Sequence, residues 1–180
     1  ALDCELQRPV TLALGMPANE RMDTLVEKAT ELGVATLQPL VCERSVLRVA
    51  GDRAERKAVH WQAVAVSACE QSGRNRVPVV AAPMALREWL ALIEADAQSE
   101  RLMLSLDPQA APWLRRAGAG EATTRPLLVL SGPEGGLSPA EQALAEQHRF
   151  AATSLGPRVL RADTAPLVAL ACVAVLEGRP

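Results

Sequence analysis

Apolar positions along the chain switch repeatedly between the two-residue period of strands and the three-to-four-residue period of helices. "VTLAL" (Val10–Leu14) is a short apolar run of strand length. Beyond it, Met22, Leu25, Val26, Ala29 and Leu32 fall at i, i+3, i+4 and i+7 spacings, which predicts an amphipathic helix. Asn19 is its candidate N-cap, and Gly33 sits where a left-handed C′ residue belongs. "VATLQPLV" (Val34–Val41) predicts a second strand, in which Pro39 implies an edge or a bulge. A long helix is predicted over Asp52–Gln71, with Ala58, Trp61, Ala65, Ala68 and Cys69 on one side and Gly73 closing it. A strand at Val77–Ala82, a helix at Ala85–Ala95 and a strand at Arg101–Leu106 follow. Asp107–Pro126, rich in Pro, Gly and Thr, reads as a loop with room for one helical turn. "PLLVLS" (Pro126–Ser131) is almost continuously apolar, as a central parallel strand requires, and "FAATSL" (Phe150–Leu155) is the last strand. The helix from about Thr164 to Leu176 is apolar on every side and is expected to be buried on most of them.

Strands separated by helices imply an α/β fold with a mainly parallel sheet flanked by helices. Ligands of such sheets bind beyond the C-terminal ends of the strands. With 180 residues, 49% of them hydrophobic, the chain has enough material for one folded domain. A net charge of -2 and only 2% aromatic residues argue against a base-stacking platform, so weak RNA binding by this chain alone is expected. Cys4, Cys42, Cys69 and Cys172 lack metal-ligand spacing and read as small buried hydrophobes of a reducing, cytoplasmic protein. No metal site and no signal peptide are read from the sequence. The longest apolar run, Ala165–Leu176, falls short of the about 20 residues that span a bilayer, so no membrane partner is expected.

Two glycine loops follow predicted strands. In "SGPEGGLSPAE", Ser138, Pro139 and Glu141 form a helix start complete in itself: an N-cap, a proline at N1 and a capping-box glutamate at N3. The preceding Gly132, Gly135 and Gly136 permit positive φ and close approach of a ligand to the backbone. No Lys or Ser/Thr follows in the phosphate-loop pattern, no GxGxxG fingerprint is present, and Glu134 would repel phosphate. The loop suits a neutral or cationic ligand held by main-chain groups, or is a plain strand-to-helix turn. The second loop, "LGPRVLRADTA", places Arg158 and Arg161 three residues apart just before the greasy helix, with Asp163 or Thr164 as its N-cap. Arg161 is expected to point at a cleft, with a structural salt bridge as the alternative; Arg158 is either a second cleft residue or a solvated charge.

"LSGPEGGLSPAE" followed by "LGPRVLRADTA" resembles the ribosomal RNA small subunit methyltransferase E family, of the SPOUT superfamily of knotted methyltransferases. "ERMDTLVEKATELGV" (Glu20–Val34) and "ACEQSGRNRVP" (Ala68–Pro78) match as well, so the likeness runs from about Val10 to the last helix. The resemblance implies an α/β domain over residues 1–180 whose C-terminal helix is threaded into a trefoil knot. It also implies S-adenosylmethionine bound in the knot, a homodimer, and methylation of N3 of a uridine in 16S ribosomal RNA. The family's N-terminal RNA-binding β-barrel has no counterpart in these residues.

Carried onto this sequence, the implied cofactor-binding residues are Leu130, Gly132, Pro133, Glu134, Gly135, Gly136, Leu155, Gly156, Leu160, Arg161, Thr164 and Ala165. Asp163 departs from the glutamate usual there. Uridine N3 is a poor nucleophile until its proton leaves, and a guanidinium beside O2 or O4 stabilises the resulting anion. Arg161 is the first candidate for that role and Arg158 the second. His60 and His148 lie on predicted helices and read as surface residues, and the Glu27, Lys28, Glu31 group reads as surface charge. Gln71, Arg74 and Arg76 cluster at a helix end, open both to a helix-dipole reading and to RNA contact. Rival readings are a SPOUT enzyme with another RNA target, a non-catalytic RNA- or cofactor-binding module, and a flavodoxin-like flavin domain.

Overall fold

The structure is a computed structural model and describes residues 3–93, 96, 98–117 and 124–176. In chain order its elements are β1 (Val10–Gly15), α1 (Asn19–Glu31), β2 (Thr36–Val41), α2 (Asp52–Ser72), β3 (Val79–Val80), β4 (Met84–Ala85), α3 (Leu86–Leu92), β5 (Glu100–Leu104), β6 (Ala111–Pro112), α4 (Trp113–Ala117), β7 (Leu127–Ser131), α5 (Pro139–Gln147), β8 (Ala151–Ser154) and α6 (Thr164–Leu176). The strands make one sheet in the order β3-β2-β1-β7-β5-β8-β6, with β4 pairing beside the far end of β2. Every pairing is parallel.

The two-residue period divides the core between the two faces of the sheet. Val10, Leu12 and Leu14 of β1, with Leu127 and Val129 of β7, pack on one face against Met22, Leu25, Val26 and Ala29 of α1, Trp61 and Ala65 of α2, and Ala169, Leu170 and Val173 of α6. Ala13, Leu128 and Leu130 face the other way, toward Leu86, Trp89 and Leu90 of α3 and Ala145 of α5. All five residues of β7 are buried, as its unbroken apolar run predicts.

Several local expectations are corrected. Ala18, not Asn19, is the N-cap of α1, and it has no side-chain cap. Its N–H instead donates to Glu134 Oε1 at 2.9 Å, a long-range contact that no local pattern encodes. Pro39 marks neither an edge nor a bulge. β1 lines one side of β2 in unbroken register through Pro39, while on the other side β3 stops at Leu37 and β4 resumes at Leu40. The proline falls in that gap, where no ladder hydrogen bond is asked of its missing N–H. The predicted strand at Val77–Ala82 shrinks to two residues, and the 107–126 segment holds the short strand β6 as well as its helical turn. Cys4 is exposed, unlike Cys42 and Cys69.

The last helix is the largest correction. α6 begins and ends as predicted, but only Pro166, Ala169, Leu170 and Val173 are buried. Val175 is 79% exposed and Leu176 49%. The helix lies on one face of a single sheet, so its inner side finds a core and its outer side does not.

Arg74 is a structural residue. Its Nη1 donates to the carbonyls of Thr30 (3.0 Å) and Val34 (2.8 Å) at the C-terminal end of α1, and its guanidinium pairs with Glu5. Its side chain is only 4% exposed, which removes it from any RNA-facing surface. The dipole reading holds in altered form, because the helix it closes is α1 and not its own. Burial works to raise the Glu5 pKa. The Arg74 hydrogen bond, the N–H groups of Arg76 and Asn75 and the Arg74 charge outweigh it and hold Glu5 below its ordinary value of 4.5. A depressed folded-state pKa contributes stability that is present above the unfolded value and is lost as pH falls through the folded one. Arg74→Ala is therefore expected to cost roughly 1–3 kcal/mol at neutral pH, because a half-buried carboxylate loses its cation and keeps only the Asn75 and Arg76 N–H groups, and solvent screens part of the loss. Urea denaturation checks this, and in Glu5→Gln the acid-side loss of stability below pH 4.5 should shrink.

Candidate active site

The C-terminal ends of β5, β7 and β8 open onto one cleft of about 570 Å³. Both glycine loops border it. Gly132–Gly136 follows β7, and Leu155, Gly156, Arg158, Leu160 and Arg161 follow β8. Ala165, in the first turn of α6, also lines it. Of the remaining sequence-predicted residues, Leu130 is wholly buried in the core beneath and Thr164 is exposed on α6; neither lines the cleft.

The first loop is rigid for reasons spread along the chain. Ser138 Oγ accepts from Glu141 N at 3.2 Å, and Glu141 Oε2 accepts from Ser138 N at 2.8 Å, which completes the expected capping box. Glu141 Oε1 also accepts from Glu43 N at 2.8 Å and so ties α5 to the loop after β2. Glu134 lines the cleft while also bracing the start of α1. Its carboxylate holds the Ala18 N–H and lies 3.6 Å from Arg21 Nη1.

The glycines serve different purposes. Gly136 has φ 68°, the left-handed conformation its type permits. Gly132 and Gly135 do not have positive φ; they are small because neighbours press on them. A Cβ on Gly132 would stand 2.8 Å from Leu137 N, and one on Gly135 would stand 3.0 Å from Arg44 Cβ. Gly15, at the end of β1, was not singled out from the sequence. A Cβ there would lie 2.4 Å from Pro133 N and Cδ, so β1 and the first loop touch backbone to backbone.

The second loop carries the arginines. The Arg161 carbonyl accepts from Thr164 N (3.0 Å) and Ala165 N (2.9 Å), which fixes its backbone at the start of α6. Its side chain is exposed in the cleft, and no salt bridge to it is found among the described residues. Arg158 is likewise exposed and unpaired there. Asp163, expected as a helix cap, leaves Oδ1 buried without a hydrogen-bond partner among the described residues.

Sequence reasoning missed a third wall. Met103, Leu104, Ser105 and Leu106, at and beyond the end of β5, line the cleft, as do Arg21 and Arg44. "RLMLSL" shows only strand periodicity, and no local signal marks its last residues as a ligand wall. Neither histidine takes part. His60 Nε2 lies 2.9 Å from Asp23 Oδ2, and Trp61 Nε1 donates to Asp23 Oδ1 at 3.0 Å, a bridge between α1 and α2. Lys28 joins Glu27 and Glu31 on the surface. Burial and the nearby Glu141 charge push the Cys42 thiol up to about 12, so it is inert. Among the described residues, no cluster of three or more His, Cys, Asp or Glu forms a metal site.

Residues 4–174 match the family model of the RNA methyltransferase domain. A crystal structure of a ribosomal RNA small subunit methyltransferase E from Neisseria gonorrhoeae, bound to S-adenosyl methionine, superposes with a TM-score of 0.83 at 33% identity. The match covers 96% of this chain and 68% of that one. The chain belongs to the ribosomal RNA small subunit methyltransferase E family. The family member of Synechocystis is 36% identical over 97% of this chain, which spans 56% of that protein's length. A SpoU methyltransferase from Streptomyces viridochromogenes shares only the fold, at 15% identity and a TM-score of 0.55 over 95% of this chain and 61% of its own. The parallel sheet flanked by helices is thus of the SPOUT type, and membership in a methyltransferase family leaves no support for the flavin reading.

The cleft fits the cofactor seen in the Neisseria relative. Its volume lies in the range of small-ligand sites, about 300–1,000 Å³. Its lining pairs apolar side chains (Met103, Leu104, Leu137, Leu155, Leu160) with main-chain groups of two glycine loops. The combination suits an adenosine with an amino-acid arm.

Proposed function

We propose that the protein, as part of its full-length chain, transfers a methyl group from S-adenosylmethionine to N3 of a uridine in 16S ribosomal RNA, in the cytoplasm. The observation that carries this reading is the convergence of both glycine loops and the unpaired Arg161 guanidinium on one cleft. When bound, S-adenosylmethionine supplies an electrophilic methyl on a sulfonium. Gly132–Gly136, Leu155, Gly156, Leu160 and Ala165 hold it, largely through main-chain groups. Arg161 would stand beside a uridine carbonyl oxygen and stabilise negative charge as N3 gives up its proton to solvent water; Arg158 would assist. Fixing N3 in line with the transferred methyl supplies a further share of the rate.

The C-terminal knot belongs to the same proposal. α6 leaves the β8 loop and packs against α1, β1 and β7, so it passes β5, the strand that separates β8 from β7. The half-buried Val168 and Ala171 and the exposed Val175 and Leu176 support a homodimer in which a second copy covers α6. Sedimentation at micromolar concentration would give a monomer if that is wrong. Among the described residues no helix is long and apolar enough to cross a membrane.

The deciding experiment is transfer from labelled cofactor to small ribosomal subunits by the full-length protein, followed by nucleoside analysis. Label in 3-methyluridine is expected. Label in a ribose or in another base would overturn the N3 assignment, and cofactor binding without transfer would favour a non-catalytic module.

A further inference from the structure

Four guanidiniums, of Arg21, Arg44, Arg158 and Arg161, line the cleft against one carboxylate, Glu134. That carboxylate is already engaged by the Ala18 N–H and lies close to Arg21. The chain as a whole has a net charge of -2, so a cleft with four cations and one anion is locally more positive than the rest of the surface. The cofactor does not account for it. S-adenosylmethionine carries a sulfonium, an ammonium and one carboxylate, so it adds positive charge to a cleft that already has an excess. Such an excess of cations favours an anionic ligand at the cleft. Arg161 is assigned to the reacting base, and Arg21 is partly neutralised. Arg44 has no assigned task.

Arg44 is unusually well placed to meet a phosphate. It sits on the turn after β2, where Ser45 N donates to Cys42 O (3.1 Å), Cys42 N to Ser45 Oγ (3.0 Å) and Glu43 N to Glu141 Oε1 (2.8 Å). Its Nη1 donates to the Gly135 carbonyl at 3.0 Å, and among the described residues it has no acidic partner. The residue is exposed. One edge of the fork is thus anchored to the first glycine loop, and the other donors face solvent at the cleft mouth, pre-organised for an anion.

We propose that Arg44 binds a backbone phosphate of the RNA strand entering the cleft, so that the domain itself, and not only a separate RNA-binding module, holds the substrate beside the cofactor loop. Because Arg44 also braces Gly135, phosphate contact anchors the strand on the same loop that holds the cofactor. The proposal rests on the reading of the protein as an RNA methyltransferase.

The test compares wild type, Arg44→Ala and Arg44→Lys in the full-length protein. Binding to deproteinised small-subunit ribosomal RNA is measured from about 50 to 200 mM salt, cofactor affinity by calorimetry, and methyl transfer in parallel. One lost phosphate contact should lower the slope of log K against log salt by about 0.7–0.9 in Arg44→Ala and weaken RNA binding about tenfold. Arg44→Lys should keep the slope, and cofactor affinity should change less than about threefold, because only a brace on the loop is lost. An unchanged slope and RNA affinity in Arg44→Ala would overturn the proposal. So would loss of cofactor affinity with RNA binding intact, which would make Arg44 a brace for Gly135 and nothing more. A reduced slope in a wild-type background that transfers no methyl would uphold Arg44 as a phosphate ligand while overturning the proposed reaction.

Discussion

Arg161→Ala is expected to lower single-turnover methyl transfer about 10²-fold or more, the scale of losing one oxyanion-type donor, with cofactor affinity changed far less. The Arg161 backbone is fixed by the first amides of α6, while its guanidinium is exposed in the cleft. Removing the side chain therefore leaves the loop intact and removes only what the guanidinium does. If it stabilises the uridine anion, that interaction exists mainly in the transition state, so the loss falls on turnover and not on binding. Arg161→Lys keeps the charge but not the planar fork, and should restore only part of the rate. The measurement uses saturating cofactor and RNA. A near-normal rate in the Ala variant would move the role to Arg158.

Gly15→Ala should reduce cofactor affinity tenfold or more, although Gly15 does not line the cleft. The added Cβ would stand 2.4 Å from Pro133 N and Cδ and 2.8 Å from Gly132 C, all backbone or ring atoms that cannot rotate away. β1 is central and held on both sides in register, so the first loop must give way. Overpacking of this kind costs about 1–3 kcal/mol, and here the displaced segment is the cleft-lining loop proposed to hold the cofactor. Gly51→Ala is the control. Its φ of 53° makes alanine strained, yet nothing lies within 4 Å of the new Cβ. It should lower stability by about 1–3 kcal/mol and leave cofactor affinity unchanged. Calorimetry on both variants separates a local effect from general destabilisation; equal affinity in Gly15→Ala and wild type would show that the loop tolerates the displacement.

The two predictions draw on different kinds of information. Arg161 was visible in the sequence because an arginine ahead of an entirely apolar helix has few local partners. Gly15 was not, because "VTLALG" carries no trace of Pro133, which is brought against it by strand pairing more than a hundred residues away in the chain. The same difference separates Glu141, whose capping box is a four-residue pattern, from Glu134, whose donor, the Ala18 N–H, and neighbouring cation, Arg21, are distant in sequence.

By itself the sequence determined what short-range physics determines. Hydrophobic period and breakers placed α1, α2, β7 and α6 within a few residues, and alternation of strands with helices fixed a parallel α/β sheet. The two glycine loops and their arginines marked residues that line one candidate cleft, since special backbone and unpaired charge are local properties. Tertiary structure alone decided which side of each element meets a neighbour. It split the pairing on the outer side of β2 at Pro39, turned Arg74 into a clasp on α1, brought the β5 end and Arg44 to the cleft, and left Val175 and Leu176 of α6 exposed. Each of these depends on contacts between segments far apart along the chain, where periodicity states that a surface is apolar or charged but not what will be packed against it.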